Sequence, residues 1–177
     1  MSSSAGIIII GDEILSGRTK DTNINWIANE LNEMGIKLKE ARVIEDDKKT
    51  IINTVLEFSK KFTYVFTSGG IGPTHDDITT ESIAAAFKVD LEKNKIAMNL
   101  LKKHYEKSNI DFNEARQKMA IIPKGAFLID NPVSVAPGFN IKNVYVFAGV
   151  PKIMQSMFHS ISGKLKGGIK IKSKTIT

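Results

Sequence analysis

The residues best equipped for chemistry lie between Ser68 and Thr79, in the string Ser-Gly-Gly-Ile-Gly-Pro-Thr-His-Asp-Asp-Ile-Thr. Gly69, Gly70 and Gly72 permit positive φ and bring backbone amides close to a ligand, and Pro73 stiffens the exit. Such a loop suits a phosphate. Ser68, Thr74 and Thr79 add hydroxyls, and Thr79 is expected to cap the helix that follows, with Glu81 in its first turn. Asp76 and Asp77 depart from a plain phosphate cradle. Two carboxylates beside an anion site repel the anion unless a metal ion lies between them or one of them acts on a bound water. Further carboxylates stand at Asp12, Glu13 and Asp46, each expected at the end of a strand. A glycine loop with hard oxygen donors around it points to metal-assisted chemistry on a phosphate or pyrophosphate.

The elements that must position these residues are legible from periodicity. Ala5–Gly11, with four successive isoleucines, reads as a strand buried on both faces, as in a parallel sheet. It opens onto the polar loop Gly11–Thr22, which holds Asp12, Glu13, Ser16, Gly17, Arg18 and Asp21. That density of donors and acceptors at a strand end favours a binding role over the plainer reading, turn chemistry around Gly17. Asn23 is expected to cap a helix whose stripe is Ile24, Ile27, Ala28, Leu31 and Met34, stopped by Gly35. Lys37–Glu45 reads as a second strand, and either Asp46 or Asp47 could cap the helix through Ile51, Val55 and Leu56. Tyr64–Thr67 is the third strand. Three strand–loop–helix units imply right-handed crossovers and a parallel sheet, with ligands at the carboxyl ends of the strands.

Beyond Thr79, Ile83, Ala84 and Phe87 give one helix a core face, and Ile96, Leu100, Leu101 and Tyr105 mark another. His104 reads as solvated or half-buried. Asn113–Met119 is a short helical piece, and Lys102, Lys103, Lys107, Arg116 and Lys118 around it could supply a phosphate contact. Phe127–Ile129, Phe139–Ile141 and Val144–Ala148 read as strands, the last two joined by a hairpin at Lys142-Asn143. The final helix carries Ile153, Met154, Met157, Phe158 and Ile161. The fold class that follows is α/β, three-layer α/β/α, with a mostly parallel sheet and an antiparallel edge hairpin.

Composition removes several classes of function. With no cysteine among the 177 residues, disulfides, thiolate metal sites and cysteine nucleophiles are excluded, which fits a reducing compartment. No apolar run approaches the roughly 18–20 residues of a membrane span. The Met1–Ser4 start has no basic region, so no membrane association is expected and the location is expected to be cytoplasmic. The net charge of +6 is concentrated at Lys164, Lys166, Lys170, Lys172 and Lys174, which leaves the body close to neutral and without a basic, aromatic-bearing stripe. No nucleic-acid partner is expected.

Four blocks in order, Ala5–Gly17, Ser68–Thr79, Asn131–Phe139 and Ala148–Pro151, resemble the molybdopterin-binding (MoaB/Mog) domain. The form is the one carried by the competence/damage-inducible protein A (CinA) family and by the N-terminal domain of animal FAD synthases. The resemblance spans roughly residues 5–165. It implies a MoaB/Mog-like domain over residues 1–165, with 166–177 a basic segment that begins a further extension. It also implies catalytic roles for Asp46 and Asp77, and a divalent metal (Mg, Mn or Co) at Asp12, Asp76 and Asp77. The implied ligand contacts are Gly11, Asp12, Glu13, Ser16, Gly17, Asp21, Ser68, Gly69, Gly70, Gly72, Pro73, Thr74, Thr79, Ser134, Pro137 and Gly138. CinA-like and FAD-synthase-like relatives imply metal-dependent hydrolysis of a nucleotide diphosphate such as ADP-ribose or FAD. MoaB/Mog relatives imply pterin phosphates and their adenylylated forms, so molybdopterin is a second expected ligand. The alternatives are a non-catalytic binding module and adenylyl transfer to molybdopterin. A homodimer or homotrimer is expected, because relatives self-associate and because Met154, Met157 and Phe158 exceed what one amphipathic face need hide.

Overall fold

The computed structural model describes residues 3–168. In chain order the elements are β1 (Ser4–Ile10), α1 (Asp12–Leu15), α2 (Asn23–Glu33), β2 (Lys37–Ile44), α3 (Lys48–Lys61), β3 (Tyr64–Ser68), α4 (Thr79–Phe87), β4 (Leu91–Lys93), α5 (Lys95–Lys107) and α6 (Glu114–Gln117). A 3₁₀ turn (Lys118–Ala120), β5 (Ile121–Pro123), β6 (Phe127–Ile129), β7 (Gly138–Ile141), β8 (Val144–Phe147) and α7 (Pro151–Ser162) complete them. The main sheet has the order β2-β1-β3-β8-β7-β6. β2, β1, β3 and β8 are parallel, whereas β7 and β6 are antiparallel additions at one edge. This is the expected α/β architecture.

The isoleucine run shows why the sheet needs two covers. Successive strand residues point to opposite faces, and all four isoleucines are buried. Ile7 and Ile9 pack with Ile27 and Leu31 of α2 and with Met154, Met157 and Phe158 of α7. Ile8 and Ile10 pack on the other face with Ile51, Val55 and Phe58 of α3 and Ile83 of α4. At about 1.5–3 kcal/mol for each large apolar side chain buried, neither face could be left in water. Met154, Met157 and Phe158 are each fully covered within one chain. That corrects the sequence expectation that they form a surplus needing a partner subunit.

Three further local expectations change. Thr79 does not cap α4: the cap position is Ile78, and the Thr79 hydroxyl is buried beneath Gly70 without a hydrogen-bond partner. Asn23 is already inside α2, whose first amides at Asn23 and Ile24 are accepted by the carboxylate of Asp21 (3.3 and 3.0 Å). Residues 163–168 form no strand, and the rest of the alternating lysine segment lies outside the described residues. Asp47, not Asp46, caps α3 by accepting from the Thr50 amide at 2.8 Å. Between α4 and β6 the chain builds a unit whose helices, α5 and α6, periodicity suggested and whose strands, β4 and β5, it did not. β4 and β5 form a separate antiparallel ribbon, and α5 packs on the 3₁₀ turn that leads into β5 through the small core of Ala97, Leu101 and Ala120.

Candidate functional site at the carboxyl ends of the strands

β1, β3 and β8 run parallel and end together at Gly11, Gly69 and Ala148, so their following loops meet at one pole of the sheet. The loop after β3 is seated by two glycines that no other residue could replace. Gly69 has φ +113°, and a side chain there would start 2.1 Å from the carbonyl oxygen of Ile10. Gly70 has φ +71°, and its missing side chain is where the Thr79 hydroxyl stands, again 2.1 Å away. The Gly69 amide donates to the Phe147 carbonyl (3.1 Å) and the Thr79 amide to the Gly70 carbonyl (3.0 Å). The loop is thus fastened to β8 at one end and to α4 at the other.

Beyond Gly72 the turn is closed by Asp77. Its Oδ2 accepts from the Thr74 amide (2.8 Å) and the Thr74 hydroxyl (2.6 Å). Asp76 instead points outward, paired with His75 at 3.0 Å, both side chains largely exposed. Of the two adjacent aspartates it is therefore Asp77 that braces the turn. A second pair of carboxylates clasps the ends of β1 and β2. The Asp12 amide donates to Asp46 Oδ2 (3.0 Å) and the Asp46 amide to Asp12 Oδ1 (3.2 Å). Burial pushes the Asp46 carboxyl above the usual carboxylate range. The charges of Asp12, Glu13 and Asp77 push the same way, against the Asp12 amide bond that lowers it. The loops after β1 and β3 thus converge electrostatically on Asp46, at the end of β2.

A cavity of about 500 Å³ opens beside these loops. Of the residues expected to bind a ligand, Glu13, Gly69, Gly70, Gly72, Pro73 and Ser134 line it, together with Asp77, expected as a catalytic residue and metal ligand. Asp21 and Ser68 line an adjoining recess of about 60 Å³, which Glu13 shares. Thr74 and Thr79 hold the loop from behind. Gly11, Asp12 and Asp46 form the strand-end clasp, outside the lining of the cavity. Ser16 sits on the outer turn, bonded to the Glu13 carbonyl and to Arg18, and Gly17 there faces open space. Pro137 does not line the cavity, and Gly138 lies in β7, where the Val146 carbonyl occupies the place of its side chain.

The apolar part of the lining was not derivable from charge or spacing. Ile71, within the glycine loop itself, and Met119, Ala136, Val150 and Ile153 supply it. Asn131 shapes its edge, donating to Ser134 Oγ (2.6 Å) and the Ala136 carbonyl (2.8 Å) while its own oxygen accepts the Val133 and Ser134 amides. Asn23 ties the loops together from below, its amide nitrogen donating to Ser68 Oγ and to the Gly149 carbonyl, both at 2.9 Å. The one sequence signal for Asn23 was a polar residue at the head of an otherwise apolar stripe. Of the cations around α5 and α6, Lys118 alone is seen to reach the loop, donating to the Thr74 and Asp77 carbonyls at 2.7 Å each. Lys102 pairs with Glu106, and Arg116 lies over Tyr105.

As to a metal, the donors are of the right kind, since carboxylate oxygens suit a hard divalent cation. Asp46 and its neighbours Asp12, Glu13 and Asp77 are the candidates, because their mutual repulsion is what a cation would relieve. Asp76, also expected as a metal ligand, stands apart from them on the outer side of the turn. Among the described residues no three carboxylate or histidine side chains already stand close enough to form a ready-made metal centre.

The sequence profile of the "probable molybdopterin binding domain" matches residues 6–166. The chain belongs to this family. Within it the chain is similar to a CinA protein of unknown function from Thermoplasma acidophilum, at TM-score 0.84 and 34% identity over 92% of this chain and 98% of that one. MoaB from Thermus thermophilus (TM-score 0.62, 15% identity) shares the fold over 92% of this chain and 91% of its own. A protein of Sulfurisphaera tokodaii is 39% identical over 165 residues, 90% of this chain. One of Saccharolobus islandicus is 37% identical over 166 residues, 91% of this chain. The chain spans 63% of the length of these two relatives. It is therefore a CinA-like molybdopterin-binding domain, of the MoaB/Mog-like fold expected.

Proposed function

We propose that this domain binds a phosphorylated pterin or a nucleotide diphosphate in the cavity and, of a nucleotide diphosphate, hydrolyses the pyrophosphate bond with the help of a divalent cation. The observation that carries the reading is the mixed lining of the cavity. Apolar side chains suited to a flat ring system share it with a glycine loop suited to phosphate oxygens, and Glu13 and Asp77 bring carboxylates to it. A bound Mg²⁺, Mn²⁺ or Co²⁺ would neutralise phosphate charge and polarise the phosphorus–oxygen bond. Asp46, at the strand-end clasp beside the cavity, would take the proton of the attacking water, a role supported by its raised pKa, which lies nearer the working pH. The new bond is from water oxygen to phosphorus, the bridging oxygen leaves, and two monophosphates result. Asp77 orients the phosphate-facing turn and adds a carboxylate oxygen for the cation.

Binding of a pterin without turnover is the second reading. It is favoured by the family's own description and by the carboxylates standing short of a closed metal centre. Isothermal titration and product analysis with ADP-ribose, FAD and molybdopterin, each with and without EDTA, separate the two. Metal-dependent release of monophosphates supports hydrolysis; binding of molybdopterin unaffected by EDTA, with no product from any of the three, supports the second reading. Silence towards all three compounds defeats both.

A further inference from the structure

We propose that Lys118 is a positioning residue: it props the Thr74–Asp77 turn from the β4–α5–α6–β5 unit and thereby holds Asp77 in register with the cavity. The inference rests on the reading of Asp77 as part of the site. Three observations carry it. The Lys118 ammonium lies between the carbonyls of Thr74 and Asp77, the two residues that close the turn through the Asp77 carboxylate. Charge-assisted bonds of this kind are roughly twice as strong as neutral ones. Next, the turn is not a packed layer. Ile71, Gly72 and Asp77 line both the main cavity and a second cavity of about 200 Å³ that Lys118 itself lines. A turn that borders two cavities keeps its place only if something fixes it. Last, Lys118 opens the 3₁₀ turn that joins α6 to β5, and the next residue, Met119, lines the main cavity. The unit therefore touches the ligand wall and the carboxylate turn through consecutive residues.

The role is positioning because Lys118 bonds to backbone carbonyls and is not among the residues lining the main cavity. Lys118→Met keeps much of the stem and removes the ammonium. Solvent-exchange NMR should then show the Thr74 amide exchanging at least about tenfold faster, while the Ala97 and Leu101 amides, which report the α5 core, stay as they were. Lys118→Arg, which can donate to both carbonyls, should restore most of the protection, and Lys102→Met, on the same unit but away from the loop, should change nothing. With ADP-ribose and Mg²⁺, Lys118→Met should lower kcat by about 10–100-fold and leave KM within about threefold, the pattern of a misplaced reacting group and not of a lost ligand contact. An unchanged Thr74 exchange rate overturns the proposal, and so does a raised KM with intact kcat, which would make Lys118 a direct ligand contact. If the unaltered protein turns over no nucleotide, the hydrolase reading fails on its own, and the Thr74 exchange rate still decides the role of Lys118.

Discussion

At the scale of single residues, Asp77 and Asp46 carry different kinds of consequence. Asp77→Asn keeps an oxygen to accept the Thr74 bonds, so the melting temperature should stay within a degree or two, roughly the shift expected below 0.5 kcal/mol. Turnover of a nucleotide diphosphate should fall by about 10²–10⁴. Asp76→Asn, on the exposed side of the turn, should be silent, and full activity in Asp77→Asn would remove that residue from the chemistry. Asp46 is destabilised as an anion by burial and by Asp12, Glu13 and Asp77. A carboxyl whose folded pKa is raised weakens the fold above that pKa, and the cost fades as pH falls through it towards the unfolded value near about 4. Asp46→Asn should therefore melt higher than the unaltered protein at pH 7, with the gap closing as the solution is acidified, even as activity is lost. A variant that melts lower at pH 7 and shows no convergence would mean the carboxylate is held by a partner outside this set. The carboxylates themselves were legible in the sequence. Which of two adjacent aspartates turns inward was not, because that depends on where Thr74 and Lys118 arrive.

At the scale of elements, legibility followed the length and strength of each pattern. β1, β3, α2, α3 and α7 each bury several large side chains on a regular repeat, and they stand where the repeat put them. β4 and β5 were missed because each has three residues, and Leu91, Glu92 and Lys93 are all exposed and offer no alternation. The caps of α2 and α4 were misread for a related reason. Asn23 and Thr79 have the right chemistry for a cap, but tertiary contacts draw both side chains into the layer beneath the loops. The register of α7 on the sheet can be tested at Phe158, which contacts Trp26 (centroids 5.5 Å apart), Phe66 (5.8 Å) and Phe147 (6.3 Å). Phe158→Ala should cost about 3–5 kcal/mol in denaturant unfolding. Because the chain has one tryptophan, the same experiment should show a native-state shift in Trp26 fluorescence. A loss below about 1 kcal/mol would mean that α7 repacks freely and does not hold the β8 loop in place.

At the scale of the whole molecule, the parallel strands separate two poles. The carboxyl ends hold the cavity, and the amino ends hold the chain's last described segment. The Lys166 carbonyl accepts from Ser3 Oγ (2.8 Å), its amide donates to the Tyr64 hydroxyl (2.9 Å), and the Gly168 amide donates to the Gly35 carbonyl (3.0 Å). Ser3, Gly35 and Tyr64 stand at or just before the first residues of β1, β2 and β3. A strand rises about 3.3 Å per residue, so β1 alone puts about 20 Å between these contacts and Gly11. Exposed charges are screened within about 8 Å at physiological salt. Lys164 and Lys166 contribute to the net charge of +6, yet their field cannot reach the phosphate loop across the sheet. Changing both to glutamine should leave the affinity for ADP-ribose or molybdopterin within about threefold, well under the 1.4 kcal/mol of a tenfold change. It should also leave the salt dependence of binding unaltered. A tenfold loss that deepens at low salt would place lysine charge at the cavity, and the two-pole arrangement would then be wrong.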